Sequence, residues 1–340
     1  MKKICKIKIF ALIIVCFAFI FGANIMPVSA KTEKVYLGGF PLGFDLCGEG
    51  ALVVGITEVI SEDGIHTPAL KSGIKNGDYI LSLNGKRIVS ADDIDEVLSL
   101  YDGKGLIAEI LSGGEKHIKN VYPEKDLKGN YKLGILIRDY LSGLGTVTFI
   151  RTDGSFCSLG HPICDEEGKM LGVGGGFAYG SVITGIVKGT RGKAGELKGT
   201  INRSEILGKV CANTLSGITG VFEKSSVYDD LTMVETGEPK PGFAEIYTTV
   251  KGSKPEKYTA AVVKVDANDK QNKNLVIKIT DERLISAAGG IVQGMSGSPI
   301  VQDGKLVGAV THVFLNDCTR GYGISLDKMA ELAVTYKCYQ

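Results

Sequence analysis

The hydrophobic pattern begins with four lysines, Lys2, Lys3, Lys6 and Lys8, set before an apolar run over residues 9–26. Beyond it the pattern is short and broken. Apolar residues alternate over 50–59 and 79–83, which predicts strands. Residues 90–100 predict a helix, with Ser90 as N-cap and Asp92 and Asp93 where the helix dipole favours acids. From about Asn120 the chain becomes β-rich. Over 145–151, Val147 and Phe149 alternate with Thr146 and Thr148; Asp153-Gly154 marks a turn, and 156–159 return. A second hairpin joins 300–302 to 306–313 through Asp303-Gly304, and 258–266 and 275–280 add two more strands. The expected organisation is a small α+β module over 35–119 and a mainly β domain over 120–340. Repeated short strands with glycine turns predict a β-barrel or a pair of barrels.

Composition sharpens this in few places. A chain of 340 residues suggests two domains, and 46 glycines with no tryptophan suit short strands and turns. Lys+Arg at 39 against Asp+Glu at 38 gives no basic face for nucleic acid. The amino-terminal lysines, apolar run and Val28-Ser29-Ala30 form an export signal with a cleavage-like site after Ala30. The run is also long enough for an uncleaved membrane anchor, and both outcomes place residues after about Lys31 outside the cytoplasm. Of eight cysteines, Cys5 and Cys16 fall in the signal and six are scattered without a Cys-x-x-Cys pair. With only four histidines, no zinc set is expected, and the cysteines read as small buried residues with room for one disulfide. The glycines over 172–185 lack a nucleotide-binding context, and Gly192-Lys193 is followed by Ala194 where a phosphate loop needs Ser or Thr. They read as strand kinks and close packing.

The chemistry concentrates in Gly294-Met295-Ser296-Gly297-Ser298-Pro299. Two glycines let the backbone turn sharply and present Ser296, and a substrate carbonyl can meet the N–H groups of Gly294 and Ser296. Taken alone, the run is equally a glycine turn between strands. A serine nucleophile needs a base. His66 and His117 lie in the first module. His312 lies inside an apolar strand, where a structural role is expected, and His161 ends the first hairpin in Gly160-His161-Pro162. His161 is the preferred base. For the acid, Asp165 follows in a loop, Asp317 lies beyond the serine, and Asp281 ends the strand over 275–280; Asp281 is favoured modestly. A cysteine hydrolase using Cys164 fails, because a thiol three residues from His161 in one loop rarely aligns with that ring.

Two resemblances extend the reading. Residues 67–85, from Thr67-Pro68-Ala69 through Gly77-Asp78-Tyr79-Ile80, resemble the PDZ domain motif. That resemblance implies a carboxylate-binding loop at Pro41-Leu42-Gly43-Phe44, so Leu42, Gly43 and Phe44 are the expected contacts for a peptide ligand; a spacer that binds nothing is the alternative. Gly160-His161-Pro162, Gly289-Gly290-Ile291-Val292-Gln293-Gly294-Met295-Ser296-Gly297-Ser298-Pro299-Ile300 and Gly308-Ala309-Val310-Thr311-His312 together resemble the stage IV sporulation protein B peptidase family. This implies a chymotrypsin-like double β-barrel and a serine endopeptidase with nucleophile Ser296, base His161 and acid Asp281, needing no cofactor or metal. It also implies export to the forespore intermembrane space, self-processing, and cleavage of a membrane-bound regulator so that an intramembrane protease matures a late sigma factor. The other class of reading is a membrane-tethered PDZ scaffold whose protease-like domain only binds.

Overall fold

A computed structural model describes residues 32–164, 168–269 and 271–335. The expected signal or anchor over 1–30, and Asp165, lie outside these residues. Among the described residues, no helix is long and apolar enough to cross a membrane. The fold is mainly β, consistent with a chymotrypsin-like β fold, and from Glu33 onward it forms one compact unit.

Two long strands organise it. After β1 (Lys34–Leu37), β2 (Pro41–Ile56) runs for 16 residues. Its far end enters the α+β module. That module comprises β3 (Val59–Ser61), β4 (Gly64–His66), helix α1 (Pro68–Lys71), β5 (Tyr79–Leu83), β6 (Lys86–Arg87), α2 (Ala91–Ser99), β7 (Leu106–Ser112), β8 (Glu115–Val121) and the short pair β9 (Glu124–Lys125) and β10 (Tyr131–Lys132). The predicted helix is present with the predicted cap. Ser90 Oγ accepts from Asp93 N, and Asp93 reaches back to Ser90 N, closing a capping box.

The chain then returns on β11 (Ile135–Ile150), antiparallel to β2 along nearly its whole length, from Ile135↔Ile56 to Thr146↔Pro41. The rest of the sheet follows as β12 (Ser155–Leu159), β13 (Val173–Val187), β14 (Glu196–Thr214), β15 (Gly217–Phe222), β16 (Met233–Thr236), β17 (Gly242–Thr248), β18 (Glu256–Val265) and β19 (Leu275–Ile279). Helix α3 (Glu282–Ala288) precedes β20 (Pro299–Gln302), β21 (Lys305–Phe314), β22 (Asp317–Ser325) and α4 (Leu326–Thr335). The glycine-rich segment Val173–Val187 is a strand, in line with the expectation of kinked, closely packed β structure over 172–185.

The strand pairings form one continuous 18-stranded network, within which buried side chains gather into separate cores. One packs Ile246, Tyr258, Ile277, Leu284, Met295 and Val310; a second packs Leu42, Phe44, Val147, Phe156 and Ile218. The module has its own core, reaching from Ala51 and Val53 to Val121 and Leu133. This corrects the 35–119 boundary. Residues before Ala51 belong to the β domain's sheet and core, and the module closes only where β11 begins. Cys157 and Cys318 are buried free thiols, while Cys211 is held in a disulfide.

Candidate active site

The serine turn is built by close approach. Gly294 (φ +93°) and Gly297 (φ +95°) occupy the left-handed region. A β-carbon on Gly297 would overlap Thr146 O and sit 2.6 Å from Leu159 N, so only glycine fits between β11 and β12. Met295 is fully buried and anchors the turn. Thr146 N donates to Ser296 O (3.1 Å), and Thr146 Oγ1 donates to Gly294 O (2.8 Å). Thr148 Oγ1 donates to Gly297 O (2.7 Å), and Gly297 N to Val310 O (2.8 Å). Ser298 is fully buried against Thr248, which removes it as a nucleophile. Ser296 lines a cavity of about 470 Å³ and donates its hydroxyl to Thr311 O at 2.7 Å. The N–H groups of Gly294 and Ser296 find no acceptor among the described residues.

His161 lines the same cavity. It follows two consecutive left-handed residues, Leu159 (φ +72°) and Gly160 (φ +74°), and a β-carbon on Gly160 would crowd Thr311 Cγ2 at 2.8 Å. Leu159 is a non-glycine residue held in that region, a local strain that swings the histidine toward β21. The Nδ1–Pro162 O contact is 3.0 Å. Because a carbonyl only accepts, it fixes Nδ1 as the protonated nitrogen and leaves the Nε2 lone pair free. Burial pulls the His161 pKa below 6.5, only partly offset by the Pro162 carbonyl, so the ring is neutral at pH 7.

His312 is the residue that the sequence reading set aside. It lines the cavity too, with its ring 4.9 Å from that of His161. Desolvation first, and then the His161 charge, lower its pKa to about 4, although its exposed side lets water moderate that effect. A bulge in the β21–β22 register between Val310 and His312 breaks the strand alternation, so that Thr311, His312 and Val313 all line the cavity. The remaining lining is mostly apolar, including Phe44, Leu144, Ile163, Val292 and Leu315.

Asp281 stands elsewhere. It is the N-cap of α3, and its buried carboxylate accepts from Arg283 N (3.0 Å), Arg283 Nε (3.1 Å), Arg283 Nη2 (2.9 Å) and Thr259 N (3.2 Å). Arg283 is the main reason that its pKa falls to about 2. It does not line the cavity, and among the described residues it bonds to neither histidine. The acid expected from the sequence is therefore not brought to His161 here, because capping and the arginine occupy all its acceptor capacity. Asp317 accepts from Thr319 N and Oγ1 and does not line the cavity. Cys164 is exposed and outside the serine's cavity.

The expected peptide-binding loop also needs correction. Leu42, Gly43 and Phe44 lie inside β2, flanked by β11 (Gly43↔Leu144) and β13 (Gly43↔Tyr179), with Leu42 and Phe44 buried in the β-domain core. Their backbone groups already serve two ladders, so no terminal carboxylate can dock there. A groove of about 490 Å³ lies instead between α2 and the start of β11. Ile94 and Leu98 face Ile135 and Ile137 across it, and Gly134 (φ +69°) turns at its end. The N–H groups of Leu133 and Gly134 find no acceptor among the described residues.

Among the described residues, no cluster of three or more His, Cys, Asp or Glu side chains is disposed to hold a metal. A mainly β fold, with a serine on a glycine turn that shares a cavity with a histidine, is the setting a serine peptidase uses. Residues 129–330, more than half of the chain, match the family SpoIVB peptidase S55, and the chain belongs to that family of sporulation serine proteases. A further similarity is to "Putative zinc metalloprotease LL2128" of Lactococcus lactis subsp. lactis (strain IL1403), 29% identical over 105 residues. It covers 31% of this chain and 23% of that protein, so the match spans less than a quarter of the relative's length.

Proposed function

We propose that this serine protease cleaves peptide bonds through Ser296 as nucleophile and His161 as general base. The carrying observation is that both line one cavity beside two unpaired backbone donors, Gly294 N–H and Ser296 N–H, with His161 already in the tautomer that accepts at Nε2. In the resting geometry the Ser296 hydroxyl donates to Thr311 O, and it must leave that carbonyl before its proton can pass to His161. Attack on the scissile carbonyl moves the hydroxyl proton to Nε2 and the negative charge to the carbonyl oxygen, which the two N–H groups receive. Single donors of this kind are worth about 3 kcal/mol. The imidazolium then protonates the departing amine, and a water deprotonated by the same nitrogen releases the acyl group. The Pro162 carbonyl orients the ring, and Asp281 positions α3 and the loop leading from it to Ser296. The apolar lining favours an apolar side chain next to the scissile bond.

Separate cores in the β domain suit the two barrels of a chymotrypsin-like peptidase. The α+β module acts as a PDZ domain whose ligand groove lies between α2 and β11, supported by the free N–H groups at Leu133 and Gly134. Export, by a cleaved signal or a retained anchor, is supported by the amino-terminal sequence and by the Cys211 disulfide, which suits an oxidising compartment. The family's sporulation role supports reading the activity as a signalling step in the forespore intermembrane space, with a membrane-bound regulator of an intramembrane protease and the chain itself as substrates.

The alternative, a binding-only scaffold, draws its support from the serine hydroxyl's commitment to Thr311 O. A serine-directed fluorophosphonate separates the two. Labelling of the wild type that vanishes in Ser296→Ala and in His161→Ala supports the enzyme. No labelling of the wild type supports the scaffold.

A further inference from the structure

The open edge of β11 connects the two sites. On one side β11 pairs with β2 from Ile135 to Thr146. On the other, pairing with β12 begins only at Val147, while β1 continues the β2 side, so between Ile135 and Leu144 this edge has no backbone partner among the described residues. Its two ends are distinctive. At one end Thr146 N reaches out of the sheet to Ser296 O, so the edge abuts the nucleophile turn. At the other lie Leu133 and Gly134 with their unpaired N–H groups. Cavities of about 490 and 470 Å³ touch the strand toward its two ends, at Ile135 and Ile137 and over 141–144, while a third, of about 480 Å³, touches 138–141 from the face shared with β2 and β13.

We propose that this edge is a ruler for the carboxyl-terminal segment of a polypeptide substrate, which adds to β11 as an antiparallel strand and is cut at a fixed distance from its own carboxylate. The inference rests on the assignment of Ser296 as nucleophile. Polarity follows from the carboxylate's place. A terminal carboxylate held by the Leu133 and Gly134 N–H groups starts at the amino end of β11, so the ligand runs antiparallel and its upstream residues advance toward Ser296. The charged lining is mixed, with Glu58, Asp95 and Asp126 against Lys128 and Lys132, so the two N–H groups rather than a net positive field select the carboxylate. Ile94, Leu98, Ile135 and Ile137 call for an apolar terminal side chain. At roughly 3.3 Å per residue the edge spans about 30 Å, which places the scissile bond about eight to ten residues before the carboxylate.

The test uses the wild-type full chain and synthetic peptides of about twice that length, ending in an apolar residue, as free acids or amides. Free acids are expected to be cut at one register counted from the terminus, and appending residues at that end should move the cut by the same number. Amidation should lower kcat/KM by about tenfold or more, as the loss of a charge-assisted site does. N-methylation at alternate residues of the terminal segment should block cleavage in one phase and spare it in the other, since a strand turns every second N–H toward its neighbour. Cuts that follow local sequence whatever the terminus, with equal rates for acids and amides, overturn the ruler and leave the nucleophile standing. An enzyme that labels with fluorophosphonate but cuts none of the free acids also overturns it. Neither cleavage nor labelling brings down the nucleophile assignment itself.

Discussion

Replacing Asp281 separates two kinds of contribution to catalysis. In the structure its carboxylate caps α3 and pairs with Arg283, so its loss should register first as stability. An N-cap is worth about 1 kcal/mol. The fall in pKa from 3.8 to about 2 converts to at most about 2.5 kcal/mol, and because the Arg283 side chain is 64% exposed, screening reduces that to about 1 kcal/mol. An orphaned Thr259 N–H adds about 1 kcal/mol more. Asp281→Ala should therefore cost about 3 kcal/mol. Asp281→Asn, which retains a good cap but loses the charge, should cost about 1 kcal/mol.

Catalytically, Asp281→Asn should keep kcat within about tenfold of wild type, whereas removing a true triad acid costs about ten-thousandfold. Urea unfolding and peptide-cleavage kinetics on the same preparations read both quantities. The reasoning is refuted if Asp281→Asn unfolds like wild type yet loses about four orders of magnitude in kcat at unchanged KM. That outcome would mean that the carboxylate leaves Arg283 and reaches His161 in the working enzyme. The charged pair also sets an acid limit. The folded pKa is depressed, so its stabilisation is present above pH 3.8 and disappears as pH falls toward 2.

Gly297→Ala combines a φ of +95° with a β-carbon driven into Thr146 O, and should lose about 3 kcal/mol or more of stability in urea unfolding; a loss under about 1 kcal/mol would contradict the described turn. Fluorophosphonate labelling should fall with a midpoint below pH 6.5, because burial lowers the His161 pKa; a midpoint above 6.5 would show a ring that gains a charged partner. Both cavity histidines titrate lower when folded than when unfolded. Global stability should therefore be full above pH 6.5 and fall toward pH 4, as the unfolded chain takes up protons first, which unfolding midpoints across that range will show. Thr146→Val removes the hydrogen bond to Gly294 O and should lower kcat by about tenfold with little change in KM, since the donors beside Ser296 lose their alignment.

What was legible in the sequence was local. Glycine spacing around Ser296 carries its own steric argument, and Gly160-His161-Pro162 reads as a bend that lifts a histidine out of a strand. Both residues are found lining one cavity. Asp281 was read from its place at a strand end, and a strand end is equally a helix start. The Asp-Glu-Arg order at 281–283 is a capping signal with a guanidinium two residues on, and it competes for the same carboxylate. His312 was discounted because a histidine in an apolar strand is commonly structural. A bulge between Val310 and His312, which no local sequence signal announces, brings it to the cavity where β21 runs past the serine turn.

The module boundary shows why local motifs mislead about long-range pairing. Residues 67–85 mark the module from their own composition, and the helix cap at Ser90 is written within four residues. The partner of residues 41–46 is not written nearby. It lies about a hundred residues on, in β11 (Leu46↔Leu141, Gly43↔Leu144), and no turn signal at either end announces it. A glycine between two large apolar residues suits a carboxylate loop and a buried central strand equally well. Burial on both faces decides for the strand, since Leu42 and Phe44 fill the core while Gly43 leaves room for Ile201. With β2 and β11 shared, module and peptidase hang on one pair of strands. The strand that begins beside α2 therefore also carries Thr146, which holds the carbonyls of Gly294 and Ser296.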